Sequence, residues 1–320
     1  MKFLRIIGGL IGLALVSLLL HQVGWESVRQ TFSLLGWGYG IVILYPLTWI
    51  LLNTRGWKTV LPRQAGHFPF FRLVQIRLAG ETFNSLLPSG YVGGEPLKAK
   101  LLAETLSLRE ATSSVLIAKS AQSLGMVLFI GLGLSLAHPG GGSPWRKPGT
   151  LAALILLAGG IFIFTILLAN RSFSRLGRAL HRLTRFHWLQ AQEHKFIALD
   201  ESLGVFYREG RGRFLQSVVW HGLGWLAGAL ELGVIFRLIG HPLGWRDAWF
   251  MAALAQLAAI IGFLSPASVG FYESAHYMAA VLLGLPPALG LSVSLIRRVR
   301  EIFWDIVGIF LFWRLTKRRT

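Results

Sequence analysis

The stretch FLSPASVGFYES, residues 263–274, sits between two apolar runs and interrupts them with a proline, serines and a glutamate. An earlier stretch, LLPSGYVGGEPL, residues 86–97, breaks another apolar region in the same way. Breaking a helix inside an apolar region and placing a carboxylate there needs a reason. An offset of 178 residues superposes the two stretches without a gap, Pro88 on Pro266 and Glu95 on Glu273. The same offset puts Ser114 on Ser292, Val115 on Val293 and Lys119 on Arg297. A proline, an acid and a base at one offset indicate an internal duplication.

The chain in which this duplication sits is apolar throughout. Of its 320 residues 53% are hydrophobic and only 14% charged, with mean hydropathy +0.56. A soluble domain of that size carries more charge, and several runs approach the roughly 20 residues that cross a bilayer. The composition therefore predicts an all-α polytopic integral membrane protein forming a single membrane domain over 1–320. The net charge of +18 does not point to nucleic acid, because the basic residues lie in connectors between apolar runs. That distribution orients membrane proteins and attracts anionic headgroups. With no cysteine there is no disulfide and no thiolate chemistry.

Six full spans can be drawn, at about 3–22, 38–57, 111–137, 149–169, 215–239 and 287–313. The first is read as a retained span rather than a cleaved signal, since no small-x-small site follows it. Two broken regions, 72–108 and 246–285, have arms shorter than the roughly 30 Å hydrocarbon core and are read as re-entrant helical hairpins. Lys2 and Arg5, the 55–72 connector, the 170–213 connector and the tail RLTKRRT fall on one side, which the positive-inside rule makes cytoplasmic. Eight full spans would leave both termini on that same side. Repeat units 38–137 and 215–313 then enter the membrane in opposite senses, an inverted repeat of the kind that places a binding site near the midplane. Broken backbone is tolerated at that depth only where protein or a wet cavity surrounds it.

The 170–213 connector holds nine Lys/Arg against four Asp/Glu. Arg171, Arg175, Arg178, Arg182 and Arg185 recur there at helical spacing, which predicts an interfacial helix on anionic lipid. His181, His187 and His194 fit no common zinc spacing. No P-loop is present, and the sequence calls for no metal or cofactor. The Gly8–Gly12 spacing is a weak helix-packing signal.

Polar residues within the apolar regions are the candidate site. Glu95 precedes Pro96 and so opens the returning arm of the first hairpin, as Glu273 does in the second. Two compatible readings stand for each: a cap on its own helix, or a cation, proton or headgroup site. In SLIRRVREIFWDIVG, Arg297, Arg298, Glu301 and Asp305 fall within about a 100° face, with Arg300 roughly 60° to one side. Such a face must turn inward. Arg297 and Glu301 form an i,i+4 pair, and three arginines against two acids leave a positive surplus suited to phosphate oxygens. Glu231, alone in its span, is expected to pair with an arginine of the last helix. Glu81 and Asn84 lie on the first arm of hairpin one. Lys98 and Lys100 on its return arm are read as snorkelling to the interface.

At NSLLPSGYVGGEPLKAKLL and SPASVGFYESAHYMAAVLLGLPPALGLSVSLIRRVREIFWDIVG the sequence resembles the flippase-like membrane region of lysylphosphatidylglycerol synthases, in its stand-alone form without the synthase domain. Within it, the Gly-Gly-Glu stretch and the Leu-Gly-x-Pro-Pro to Arg-Arg-x-Arg-Glu segment are most similar to a subgroup associated with hopanoid biosynthesis. The resemblance implies lipid translocation across the inner membrane. Its matching positions are Asn84, Pro88, Gly93, Gly94, Glu95, Glu273, Arg297, Arg298, Arg300 and Glu301. Synthase activity is not carried over. The expected function is a lipid flippase or transporter taking an amphiphile with a polar, anionic head. Alternatives are a membrane enzyme acting on a lipid or polyprenyl-linked head, and a non-catalytic scaffold in lipid synthesis. The expected partners are membrane lipid, lipid-synthesis enzymes or a second copy of the chain.

Overall fold

The computed structural model describes residues 2–65, 67–86, 93–136, 193–262 and 265–317, with positions 155, 159, 174, 175, 178 and 182. Among these residues the regular elements are helical. The fourth span drawn from the sequence, 149–169, and most of 170–192 lie outside the described residues, as does Pro88.

Helix α1 (Lys2–Val23) is followed by α2 (Trp25–Leu35), turned through 87° at Gly24. Gly24 has φ 81°, a left-handed conformation that glycine adopts without a Cβ penalty. The segment between the first two spans drawn from the sequence is thus an amphipathic helix. Val28, Thr31 and Leu35 are buried, while Glu26 and Arg29 pair on the outer face. The second span is two helices, α3 (Gly38–Leu44) and α4 (Pro46–Thr59), joined at Tyr45. Pro46 occupies the first position of α4, where its missing N–H leaves a gap in the backbone hydrogen bonds between the two helices.

Helices α5 (Phe70–Leu86) and α6 (Glu95–Leu102) flank the first break, and α7 (Leu108–Leu136) follows. A capping box starts α7: the Ser107 hydroxyl accepts from Glu110 N and the Glu110 carboxylate accepts from Ser107 N. Then come α8 (Glu193–Glu209) and α9 (Arg211–Leu238). Helices α10 (Trp245–Ile261) and α11 (Phe271–Leu282) flank the second break, and α12 (Pro287–Lys317) closes the chain. Of the described helices, α7 (over 108–135) and α9 are long and apolar enough to cross a membrane; the bent pair α1–α2 makes a third if it is one span. The 31 residues of α12 are long enough, about 46 Å at 1.5 Å per residue, but its charged block breaks the apolar run.

Shifting α5, α6 and α7 by 178 brings their first residues within three positions of those of α10, α11 and α12. Packing follows the same exchange. Helix α5 lies against α12 while α10 lies against α7, and α6 sits on α7 as α11 sits on α12. Helix α4 packs on its own counterpart, α9. The exchange is incomplete, since α9 also packs extensively on α7.

Polarity runs opposite to that of a soluble protein. On α12 the outer face is Val299, Ile302, Phe303, Ile306, Ile309, Phe310 and Trp313, all exposed, whereas Arg297 and Arg300 are buried. On α9, Leu215, Val219, Leu223 and Leu230 are exposed while Ser217, His221 and Glu231 are fully buried. Water would reverse both choices, and hydrocarbon explains them. This is an all-helical membrane protein. Outside the bundle, α8 packs on α7 through Leu203 and Phe206, and Tyr207 hydrogen-bonds Ser120 at 2.8 Å. Burial there pushes the Tyr207 hydroxyl up to about 12. Arg175, Arg178 and Arg182 are exposed, and Arg178 pairs with Glu193 at 3.2 Å.

Candidate functional site: two buried charge networks

The inward polar side chains form two networks, one at each break.

In the first, α6 starts at Glu95, as the Glu-Pro dipeptide predicts, with Gly93 and Gly94 in the turn before it. Glu95 does not cap its own helix. Its Oε1 accepts from Asn84 Nδ2 at 3.0 Å and Lys98 Nζ at 3.0 Å, with Lys119 Nζ 3.5 Å away. Asn84 also donates to Glu81 at 3.1 Å, and its Oδ1 accepts from Gly94 N at 2.6 Å. One amide thus ties both carboxylates to the turn. Lys98 donates to Glu81 at 2.7 Å, and Arg77 completes the set 3.1 Å from Glu81. Lys98 is therefore buried in an ion-pair network rather than snorkelling, while Lys100 is exposed. The reason is Gly80, whose missing Cβ leaves room for the lysine stem: a Cβ there would stand 2.3 Å from Lys98 Cγ. Three cations, Arg77, Lys98 and Lys119, face two carboxylates, Glu81 and Glu95. A narrow cleft lined by Trp57, Arg77, Glu95, Lys98, Lys119 and Gln122 has space for about one water molecule.

The second network surrounds the other break. Pro266 opens a short 3-10 turn, Pro266–Ser268, in which Ala267 and Ser268 have positive φ. Gly12 of α1 closes over it; a Cβ there would meet Val269 O at 2.3 Å. Glu273 does cap its helix, accepting from Gly270 N at 2.6 Å, and its other oxygen accepts from Arg298 Nε at 2.6 Å. Glu273 is therefore a helix cap and an ion-pair partner at once. Glu231 is fully buried and is held by Arg300 and, at 3.2 Å, by Arg297, the pairing expected from the sequence. Glu301 pairs with Arg298 at 2.8 Å and with Arg300 at 3.2 Å, not with Arg297 as the i,i+4 spacing predicts. Arg297 instead turns to the deeper carboxylate on α9. Tyr272 lies beneath both Arg297 and Arg298, 5.5 and 5.2 Å from ring centre to guanidinium.

The surplus positive charge expected on the last helix is absent. Its three clustered arginines, Arg297, Arg298 and Arg300, meet three carboxylates, because α9 and α11 supply Glu231 and Glu273. The surplus lies in the first network. At the repeat offset the position matching Glu231 is Asn53, a neutral amide hydrogen-bonded to buried His221.

Asp305 joins neither set of ion pairs. It accepts from Ser85 Oγ at 3.2 Å on α5, the helix that also carries Glu81 and Asn84. The two helices that carry most of the network residues, α5 and α12, thus meet directly.

These two networks span the matched part of a known family. Residues 5–307 match the family described as Lysylphosphatidylglycerol synthase TM region. The chain belongs to this family. Searches of curated proteins and of solved structures gave no match. Membership in the lysylphosphatidylglycerol synthase TM region family accounts for the apolar exterior and gives the protein a lipid-related function. All the site residues named above lie within the matched range. Sequence reasoning passed over Arg77, Tyr272 and the Asn53–His221 pair. Arg77 was readable as an i,i+4 partner of Glu81 in an otherwise apolar arm; the others required knowing which helices meet.

Proposed function

We propose that this protein moves an amphiphile with an anionic headgroup between the leaflets of the bacterial cytoplasmic membrane. The observation that carries the reading is a buried cationic surplus beside a cleft, in a molecule whose outer face is hydrocarbon-like. A structural ion-pair network gains nothing from an unmatched charge. A headgroup phosphate supplies the missing anion, with Lys119 its first contact: that side chain keeps 20% exposure and its pair with Glu95 is the longest in the network. The acyl tails remain in the bilayer.

The exchange of partners among α4–α7 and α9–α12 supports an inverted repeat. The arms α5, α6, α10 and α11 span about 25, 12, 25 and 18 Å, which supports re-entrant hairpins rather than full spans. Both termini are placed in the cytoplasm by the basic connectors, and exposed Arg175, Arg178 and Arg182 are suited to anionic lipid. Space for one water is far too small for a headgroup, so the arrangement described is a closed one.

The test is lipid translocation in proteoliposomes with fluorescent anionic and zwitterionic lipids. Lys119→Gln leaves two cations against two carboxylates. It is expected to slow anionic-lipid movement about tenfold or more, the equivalent of one charge-assisted hydrogen bond, and to leave folding intact. Wild-type protein no faster than empty vesicles overturns the reading, and covalent change of the added lipid would make the protein an enzyme.

A further inference from the structure

Each inward carboxylate of the networks, Glu81, Glu95, Glu231, Glu273 and Glu301, lies within ion-pair distance of a lysine or arginine. Asp305 has no such partner among the described residues. It lies on α12 about 18 Å along the axis from Lys317, well inside the hydrocarbon thickness. It is half-buried, and Ile302, Ile306 and Ile309 beside it on the helix are exposed to lipid. An ionised carboxylate in such a place, without a cation, is costly enough that a group binds a proton instead.

We infer that Asp305 is a proton-binding site that couples the α5–α12 seam to a transmembrane proton gradient; as coupling, this rests on the lipid-translocation reading above. The groups around it fit this role. From α5 come the Thr82 and Ser85 hydroxyls, which can accept from a carboxyl or donate to a carboxylate. Arg77 and Glu81, higher on α5, are engaged with each other. On its own helix Glu301 and Arg298 are one and two turns away and already paired. Helices α9 and α11 bring Glu231 and Glu273, both held by arginines, and α2 brings Glu26 and Arg29, paired together. Helix α3 brings Tyr39 and α1 the exposed His21.

The seam is tight. A Cβ at Gly308 would stand 1.9 Å from Thr82 Oγ1, and Phe83 meets Phe312 edge to face at 5.0 Å between ring centres. With the seam closed, the carboxyl is shielded and holds its proton. Parting α5 from α12 admits water, and the carboxylate forms with its charge solvated and Arg298 within electrostatic reach. The proton enters from water on the acidic side and leaves to water on the other; no bond to lipid is made or broken.

Two measurements on the full chain test this. In lipid nanodiscs, infrared difference spectra between acidic and alkaline buffer are expected to contain a protonated-carboxyl C=O band that disappears in Asp305→Asn and shifts in Ser85→Ala. In proteoliposomes, a one-unit pH gradient is expected to displace the leaflet ratio of the anionic lipid about tenfold, if one proton accompanies each lipid. Asp305→Asn abolishes that displacement. The proposal is overturned if the band survives in Asp305→Asn, or if lipid crosses and its distribution ignores the gradient. A band that depends on Asp305 in a protein that moves no lipid upholds the proton site and removes the translocation reading instead.

Discussion

Replacing Glu231 by leucine is expected to leave little folded protein. The carboxylate is fully buried and holds both Arg297 and Arg300. Arg300 keeps Glu301, but Arg297 has no other acidic partner among the described residues. Removing one side of a buried pair costs about 3–5 kcal/mol, because the remaining charge cannot return to water. Most domains have only about 5–15 kcal/mol in total. The surface pair Glu26–Arg29, with side chains 60% and 69% exposed, gives the comparison: losing it costs less than about 1 kcal/mol. Thermal unfolding in detergent, followed by size-exclusion recovery, measures both. The double change Glu231→Leu with Arg297→Met should recover part of the loss, because the arginine left without an acidic partner is removed together with the carboxylate. Glu231→Leu protein as stable as wild type would mean that the arginines find water or another acid, and that the second network is not closed.

That expectation was half legible in the sequence. A glutamate alone in an apolar span demands a cation, and the only inward-facing cluster of them was on the last helix. The two breaks were legible too, because proline, glycine and glutamate act locally and need no partner to bend a chain. Charge accounting failed where it stayed on one helix. Counting Arg297, Arg298, Arg300, Glu301 and Asp305 left a positive surplus, yet Glu231 and Glu273 come from helices 69 and 25 residues away along the chain. Spacing rules describe neighbours on one surface and are silent about what faces it. Lys98 failed for the same reason. Snorkelling is the right expectation for a lysine near a helix end, until a glycine on the adjacent arm opens a slot for its stem. The Asn53 position shows what the repeat can and cannot convey. The offset identifies it as the counterpart of Glu231, but only the packing of α4 on α9 reveals that its amide is hydrogen-bonded to His221 on that helix.

Gly94→Ala is expected to be the most damaging single-methyl change in the first network. A Cβ at Gly94 would lie 1.8 Å from the Gly80 carbonyl oxygen and 2.7 Å from its carbon. Both are backbone atoms of α5, and a helix carbonyl has no rotamer through which to yield. Overpacking alone costs about 1–3 kcal/mol. Here relief requires moving α6 away from α5, which also withdraws the Gly94 N–H from Asn84 and pulls Glu95 off Asn84 and Lys98 off Glu81. The steric and ionic losses are then incurred together, so destabilisation should exceed about 3 kcal/mol. Gly131→Ala on α7 is the control, because nothing lies within 4 Å of its added methyl. That change should be neutral or stabilise by up to about 1 kcal/mol through helix propensity alone. Parallel unfolding curves and translocation rates separate the two substitutions. If Gly94→Ala matched Gly131→Ala in both, α5 and α6 could not be in backbone contact, and the carboxylates at the first break would have to be held by something other than the Asn84 amide.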